Sequence, residues 1–147
     1  MAGLRIVLVE PREAGNVGAA ARVMKNFGFE ELWIAGEHPP LLPVAGWWAS
    51  GADDLLANVR EVPALFHAIA DAQLVVATTS SSGRTVAADF TPVSVARRFA
   101  QLSPAETMAL VFGREDSGLT GEEMMLCQRT AVIPTNERFP TMNLAQS

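Results

Sequence analysis

The chain has 147 residues, about half of them apolar, and it carries a formal net charge of −5. That length suits one domain with its own core, residues 1–147, and no apolar run reaches the roughly 18 to 20 residues that a membrane helix requires. The acidic balance by itself argues against nucleic-acid binding, because phosphate contacts require cationic side chains. Cys127 is the only cysteine, and His38 and His67 lie far apart. We therefore expect a cytoplasmic protein without a metal site, a membrane segment or an internal disulfide.

Short apolar runs alternate with helical patterns along the chain. In chain order, we predict a strand at 4–10, a helix at 16–28, a strand at 32–36, an irregular segment at 36–51, a helix at 62–72, a strand at 74–79, a helix at 92–102, a strand at 109–113, a helix at 120–129 and a strand at 131–135. The strand runs are nearly continuous in apolar residues, which is typical of strands buried on both faces of a parallel sheet. The alternation predicts an α/β fold with a mostly parallel sheet flanked by helices.

Several residues mark the ends of the predicted elements. Gly28 is placed to stop the first helix, and Thr120 with Glu123 has the spacing of a capping box at the start of the last one. The segment at 36–51 is rich in proline and glycine and is predicted to be a loop or a broken helix. We expect Trp47 and Trp48, which lie in it, to be covered.

Four loops that follow predicted strands share a polar, glycine-containing or amide-rich composition. They are 10–18 (EPREAGNVG), 78–85 (TTSSSGRT), 113–118 (GREDSG) and 134–143 (PTNERFPTMN), and each contains an arginine. Open parallel sheets bind ligands at the loops that leave the carboxyl ends of their strands. The four loops therefore predict one shared site at that edge.

Several common nucleotide and hydrolase motifs are absent. The chain has no GxxxxGK[ST] P-loop and no GxSxG elbow. The segment GNVGAAA (15–21) follows a strand and opens a helix, as a dinucleotide-binding fingerprint does, and Glu37 follows the second strand. Its spacing is GxxGxxA rather than GxGxxG, so the backbone would approach a pyrophosphate differently. An NAD-binding dehydrogenase stays open as an alternative.

Three segments, taken in order, resemble the signature motifs of one known family. NVGAAAR (16–22), LVFGREDSGL (110–119) and IPTNERFPTMNLA (133–145) are similar to the motifs of the SpoU (TrmH) RNA 2′-O-ribose methyltransferases of the SPOUT class. Segments 5–35 and 78–85 also resemble the branch that modifies the tRNA anticodon loop. The resemblance covers essentially the whole chain.

The resemblance implies a fold, a cofactor and a reaction. It implies the SPOUT (α/β trefoil-knot) fold, a homodimer, and S-adenosylmethionine as the cofactor, with S-adenosylhomocysteine as the product. The implied substrate is tRNA, methylated on the ribose of the cytidine or uridine that opens the anticodon loop. The alternatives are a SpoU-type enzyme acting on ribosomal RNA or another tRNA position, and a non-catalytic relative that binds RNA or cofactor.

The resemblance also implies the site residues. It places Arg22 beside the attacking ribose hydroxyl and has Glu115 support both Arg22 and Asn16. A guanidinium stays protonated, so we expect Arg22 to orient the phosphate and stabilise the developing alkoxide; Asn16 taken alone could equally be the N-cap of the first helix. The implied catalytic residues are Asn16, Arg22, Glu115, Thr141 and Asn143, the implied cofactor-binding residues are Thr78, Thr79, Gly113, Ile133, Pro134 and Leu144, and the implied RNA-binding residues are Arg12, Arg84 and Arg114.

Two glycines are expected to shape the second motif. A side chain at Gly113 would obstruct a cofactor passing close to the backbone, and Gly118 would turn the chain into the next helix.

The chain departs from the family pattern near its end. Thr141 stands where the family more often has serine, and Met142 where it has leucine. Family members continue beyond the position of Ser147 with an apolar helix that packs beside the knot and builds the dimer. We therefore expect this C-terminal helix to be missing from the domain and the knot to be incomplete.

Overall fold

The computed structural model describes residues 1–80, 89–135 and 142–147. Within these ranges the strands are β1 (Gly3–Val9), β2 (Glu31–Ala35), β3 (Arg60–Val62), β4 (Leu74–Thr79), β5 (Thr107–Phe112) and β6 (Arg129–Val132). The helices are α1 (Ala14–Asn26), α2 (Val44–Ala49), α3 (Asp53–Ala57), α4 (Leu65–Ile69), α5 (Pro92–Ala100) and α6 (Gly121–Met125). None of the helices in these ranges is long and apolar enough to cross a membrane.

The six described strands form one sheet in the order β3-β2-β1-β5-β4-β6. Every neighbouring pair in this order is parallel, which confirms the predicted α/β architecture. Because all the strands run the same way, their carboxyl ends lie at one edge of the sheet. The loops after β1, β4, β5 and β6 therefore leave from that same edge.

Both faces of the sheet are buried, which explains the continuous apolar runs. Successive side chains of a strand point to opposite faces. On β1, Val7 belongs to the cluster that contains Leu65 and Ala68 of α4. Leu8, the next residue, belongs to the cluster that contains Val17 and Ala21 of α1.

Helix α1 begins earlier than its sequence pattern predicts. Its N-cap is Glu13, whose side chain makes no capping hydrogen bond, and Asn16 lies inside the first turn. The interpretation of Asn16 as the N-cap is therefore wrong. The C-terminal end agrees with the prediction, since Gly28 has a φ of +77° and donates to Lys25 O, while Phe29 donates to Met24 O, the pair of bonds of a Schellman motif.

The proline- and glycine-rich segment at 36–51 contains a short helix, α2, as one of the two predicted alternatives allowed. α2 packs on α1 so closely that a Cβ added to Gly18 would lie 2.0 Å from the carbonyl oxygen of Ala45. Trp47 and Trp48 are 72% and 60% exposed, so the described part of the chain does not cover them as we expected. The ring of Trp48 lies 3.0 Å from where a Cβ of Gly15 would be.

Two predicted boundaries are wrong for the same reason. The helix predicted at 62–72 is shortened to α4 because residues 60–62 instead form β3, in which Val62 pairs with Ala35. The helix predicted at 120–129 ends at Met125, and Arg129 already belongs to β6, where it pairs with Val76. In both places pairing with the sheet overrides the local helical pattern.

Candidate functional site

A cavity of about 840 Å³ opens at the carboxyl edge of the sheet. Its volume lies within the range of small-molecule sites, roughly 300 to 1,000 Å³. All four predicted loops or their flanks contribute to it. The lining residues are Glu13 and Asn16 after β1, Thr78, Thr79 and Ser80 at the end of β4, 112–119 and Met124 after β5, and Ile133, Thr135, 142–144 and Ser147 after β6.

Glu115 connects two of these loops. Its carboxylate accepts hydrogen bonds from the backbone N–H of Arg12 at 2.9 and 3.1 Å, from the backbone N–H of Glu13 at 2.9 Å, and from Nδ2 of Asn16 at 3.0 Å. The N–H groups at the start of a helix have no partner inside the helix. Glu115 therefore supplies, from the β5–α6 loop, an anionic acceptor to the backbone immediately before α1.

The environment keeps Glu115 ionised. Burial acts to raise its pKa, but the hydrogen bonds from Arg12, Asn16 and Glu13 outweigh burial and leave the pKa below its usual value. A carboxylate with a lowered pKa and both oxygens engaged is a poor proton acceptor. The geometry therefore suits Glu115 to orienting Asn16 rather than to removing a proton.

The loop from Gly113 to Leu119 is closed by its own backbone. Arg114 and Gly118 exchange backbone hydrogen bonds of 3.1 and 2.8 Å, and Gly118 has a φ of +71°, as expected for a residue that reverses the chain. A Cβ on Gly113 would lie 2.4 Å from the carbonyl carbon of Gly118. Gly113 lines the cavity as predicted, but the loop itself already excludes a side chain there, which corrects the expected reason.

Arg114 lies between two carboxylates. Its Nη2 donates to Glu10 at 2.8 Å, its Nη1 donates to Glu123 at 2.8 Å, and its side chain is only 10% exposed. Hydrogen bonds to Glu123 and then to Glu10 raise its pKa above the already high usual value. The RNA-binding role expected for Arg114 stays a prediction, and its guanidinium is occupied by protein groups.

With this geometry established, the chain can be compared with known proteins. A model described as the SpoU rRNA methylase family matches residues 3–147. The chain belongs to the SpoU methylase family. The resemblance read from the motifs is thereby confirmed.

Relatives with assigned names extend the comparison. LasT of Escherichia coli K12, named as an uncharacterized tRNA/rRNA methyltransferase, is 39% identical over 145 residues, which cover 98% of this chain and 64% of the relative. TrmJ of Methanocaldococcus jannaschii, named as a tRNA (cytidine-2′-O-)-methyltransferase, is 37% identical over 147 residues, which cover 98% of this chain and 63% of the relative. The crystal structure of TrmJ from Z. mobilis ZM4 matches with a TM-score of 0.85 at 36% identity, covering 99% of this chain and 65% of that one. The chain spans less than two thirds of the length of these relatives.

The structure brings together most of the cofactor-side residues that the SpoU resemblance implies. Thr78 and Thr79 line the cavity together with Gly113, Ile133 and Leu144. The hydroxyl of Thr78 donates to the carbonyl of Val111 at 3.0 Å, which fixes the end of β4 against β5. Pro134 is exposed and is not among the lining residues.

The residues with implied SpoU catalytic roles are placed unevenly. Asn16, Glu115 and Asn143 line the cavity, and Oδ1 of Asn143 accepts from the backbone N–H of Ala145 at 2.8 Å. Arg22 is exposed on α1 and does not line the cavity. Six residues of helix correspond to about 600°, so Arg22 points about 120° away from the face of Asn16. Its catalytic role stays a prediction.

Three further predicted site residues are basic or hydroxyl residues. Arg12 is half-exposed and forms ion pairs with Asp116 at 3.6 Å and with Glu10 at 3.9 Å. Arg84 and Thr141 lie outside the described residues. Among the residues that are described, no group of three or more His, Cys, Asp or Glu side chains is arranged to hold a metal ion.

Sequence reasoning missed several members of the site. Glu13, Ser80, Asp116 and Met124 line the cavity, but none of them was predicted. Glu10 opens the predicted site loop 10–18 and Glu123 belongs to the predicted capping box, but the sequence pairs neither of them with Arg114.

Proposed function

We propose that the chain is an S-adenosylmethionine-dependent tRNA 2′-O-ribose methyltransferase, acting on the cytidine or uridine that opens the anticodon loop. One observation carries the proposal: the first and second motifs are joined through Glu115 and Asn16 at the wall of a ligand-sized cavity. The names of the TrmJ relatives support the tRNA substrate and the 2′-hydroxyl target. The proposal extends to a cytoplasmic homodimer that uses no metal.

The cavity fits the proposed cofactor. Ile133, Leu144 and Phe112 supply apolar surface suited to an adenine ring, and the strand-end segment 78–80 supplies hydroxyl and backbone groups. Carboxylates of Glu13 and Glu115 lie at the wall, where negative charge would attract a sulfonium. S-adenosylmethionine supplies a methyl group on a sulfonium, which is a good leaving group without metal assistance.

The protein groups then have to hold and prepare the ribose hydroxyl. Nδ2 of Asn16 donates to Glu115, so the group that Asn16 could offer that hydroxyl is the acceptor Oδ1. Arg22 would bind the adjacent phosphate and stabilise the developing alkoxide. Thr141 and Asn143 would complete the third motif, and Arg12 and Arg84 are the basic positions proposed for RNA. Holding the reacting groups at near-attack distance provides much of the rate enhancement.

A second candidate is methylation of ribosomal RNA. The description of the family model and the name of the Escherichia coli relative both favour keeping it. The two substrates are distinguished by mapping ribose methylation in tRNA and in ribosomal RNA from a strain that lacks the gene, before and after the gene is restored. Restoration of a methyl group only in ribosomal RNA would favour the second candidate.

The proposal is tested by calorimetry and turnover. We expect the protein to bind S-adenosylmethionine and not NAD, and we expect Arg22→Ala to abolish methyl transfer to tRNA. Arg97→Ala is the matched control, because Arg97 lies on the exposed face of α5 and should leave turnover unchanged. Turnover of Arg22→Ala close to that of the wild type would remove Arg22 from the mechanism, and binding of NAD alone would favour a dehydrogenase.

A further inference from the structure

Three ionisable groups from three elements form one network beside the cavity. The guanidinium of Arg114 pairs through Nη2 with Glu10, at the end of β1, and through both nitrogens with Glu123, in α6. Its Nη1 also donates to the carbonyl oxygen of Gly118 at 3.1 Å. Arg114 thus ties the two ends of its own loop together and fastens the loop to β1 and α6.

The backbone conformation and surroundings of Glu10 let its side chain reach Arg114. Its backbone has a φ of +43°, a left-handed conformation that non-glycine residues seldom adopt. Its backbone N–H donates to Ala35 at 2.8 Å. Its side chain runs over Gly36, where an added Cβ would lie 2.6 Å from Cγ of Glu10. A glycine on the neighbouring strand exit therefore leaves room for the path that the Glu10 carboxylate takes.

Glu123 carries the network into α6. Its Oε1 accepts from the backbone N–H of Thr120 at 2.8 Å, and its own N–H donates to the hydroxyl of Thr120, which completes the capping box. The same oxygen accepts from Arg114. Burial acts to raise the pKa of Glu123, but the hydrogen bonds from Arg114 and Thr120 outweigh burial and lower it. Glu123 is thus held by Thr120 as well as by Arg114, and Glu10 also pairs with Arg12 at 3.9 Å.

This arrangement does not suit a phosphate contact. The guanidinium is nearly buried, and its donors are already engaged by the two carboxylates and by the carbonyl oxygen of Gly118. The loop that Arg114 fastens carries Gly113, Glu115 and Leu119, all of which line the cavity. The network therefore acts on the cavity wall.

We infer that Arg114 is a positioning residue, which holds the loop Gly113–Leu119 between Glu10 and Glu123 and thereby sets the affinity for S-adenosylmethionine rather than for RNA. The inference rests on the proposed function, because it takes the cavity to be the S-adenosylmethionine site. It replaces an RNA contact at Arg114 with an intramolecular one.

Substitutions at the three residues distinguish loop positioning from RNA binding. We expect Arg114→Gln to raise the Kd for S-adenosylmethionine about tenfold by calorimetry, and we expect Glu10→Gln and Glu123→Gln to raise it severalfold. The Kd of Arg114→Lys should fall between those of the wild type and Arg114→Gln, because an ammonium group cannot bridge two carboxylates as the forked guanidinium does. Glu122→Gln is the matched control, because Glu122 is an exposed acid in the same first turn of α6. Each Kd is measured well below the melting temperature of the variant, so that a loss of stability alone leaves it unchanged.

The salt dependence of RNA binding provides the second measurement. If Arg114 positions the loop, the slope of log Kd for tRNA against log salt is unchanged in Arg114→Gln. If Arg114 binds a phosphate, the slope falls by about 0.7 to 0.9, and Glu10→Gln and Glu123→Gln tighten RNA binding because they free the guanidinium.

The possible outcomes test the inference and the proposed function separately. An S-adenosylmethionine Kd within twofold of wild type in folded Arg114→Gln, or a reduced salt slope, overturns the inference. If Arg114→Gln does not fold, unchanged Kd values in Glu10→Gln and Glu123→Gln overturn it in the same way. If the wild-type protein binds no S-adenosylmethionine, the proposed function fails and the inference with it, whereas binding by the wild type and equal binding by the variants removes the inference alone.

Discussion

Glu115 acts on α1 from a different part of the chain. The helix begins without a side-chain cap of its own, and the carboxylate of Glu115 binds the backbone N–H groups of Arg12 and Glu13 just before its first turn. A negative charge at this end also interacts favourably with the helix dipole. The same carboxylate holds the side chain of Asn16, so one residue stabilises the helix and orients a site residue.

Replacing Glu115 with glutamine should weaken these contacts. Glu115→Gln keeps the shape but loses the charge and one acceptor oxygen, and we expect it to lower the free energy of unfolding at pH 7 by about 1.5 to 3 kcal/mol, the range for hydrogen bonds to charged groups. Urea unfolding of both proteins measures the difference. Glu30→Gln is the control, because it makes the same substitution at an exposed glutamate outside this loop.

The same comparison has a defined pH dependence. The pKa of Glu115 is lower in the folded protein than its usual value of 4.5, so its stabilising contribution is complete above that value and is lost as the pH falls through the folded pKa. We expect the stability difference between wild type and Glu115→Gln to stay constant from pH 7 to about 5 and to shrink at lower pH. A difference that already shrinks between pH 7 and pH 6 would contradict this assignment.

At the residue scale the sequence predicts identities better than partners. The motifs identified Asn16, Glu115, Gly113 and Asn143, and all of them line the cavity. The bond between Asn16 and Glu115 joins positions 99 residues apart; no local pattern specifies it, and only the family resemblance implies it. For Arg114, the position in a motif loop suggested an outward cation, whereas the fold places two carboxylates beside it.

At the scale of elements, the contact between α1 and α2 determines where the first motif lies. Gly18 is buried at this contact, and the backbone of Ala45 lies where its side chain would be. Because Gly18 is only two residues from Asn16, a shift of α1 away from α2 would also move Asn16. The sequence marked Gly18 as part of a possible nucleotide loop, but the structure gives it a packing role.

Gly18→Ala should therefore destabilise the protein. The added methyl group would overlap the Ala45 carbonyl at 2.0 Å, and we expect a loss of roughly 1 to 3 kcal/mol in the free energy of unfolding, as for other overpacked cores. Gly46→Ala in α2 is the matched control, since its Cβ would meet only Leu42 at an ordinary 3.6 Å; there we expect a gain of roughly 0.5 to 1 kcal/mol. Equal effects of the two substitutions in thermal or urea unfolding would contradict the packing role of Gly18.

Strongly patterned elements were predictable and marginal ones were not. The apolar runs of β1, β2, β4 and β5 and the amphipathic helix α1 were all found, with shifts of a few residues at their ends. The three-residue strand β3 was missed because its sequence, Arg60–Val62, has no strand pattern and its identity depends on pairing with β2. Pairing with a strand distant in sequence is information that a local sequence pattern does not contain.

On the scale of the whole molecule, one parallel sheet collects loops from distant parts of the chain at a single edge. The parallel order predicted that edge as the site, and the cavity lies there. The chain is nevertheless acidic, with a net charge of −5. Under the proposed function, its attraction to RNA would depend on a few local arginines rather than on the overall field.

This charge balance predicts a shallow salt dependence. If Arg12, Arg22 and Arg84 contact about three phosphates, log Kd for an anticodon stem-loop should change with log salt with a slope near 2, or roughly 15-fold between 50 and 200 mM salt. Fluorescence anisotropy across that range measures it, and the triple variant with glutamine at these positions should abolish most of the dependence. A slope of about 5 or more would mean that many more cations contact the RNA.

Gly36, which follows β2, affects the cavity although it does not line the cavity. Any side chain at this position would displace Glu10, and Glu10 holds the arginine that fastens the cavity loop. We therefore expect positions 10, 36 and 114 to be energetically coupled, so that a replacement of Arg114 lowers the free energy of unfolding less when Gly36 has already been replaced, as a double-mutant cycle would measure. During divergence within the family, the three positions should therefore change together. A replacement of the glycine, on a turn remote from the cavity, should make a replacement of the arginine easier to tolerate.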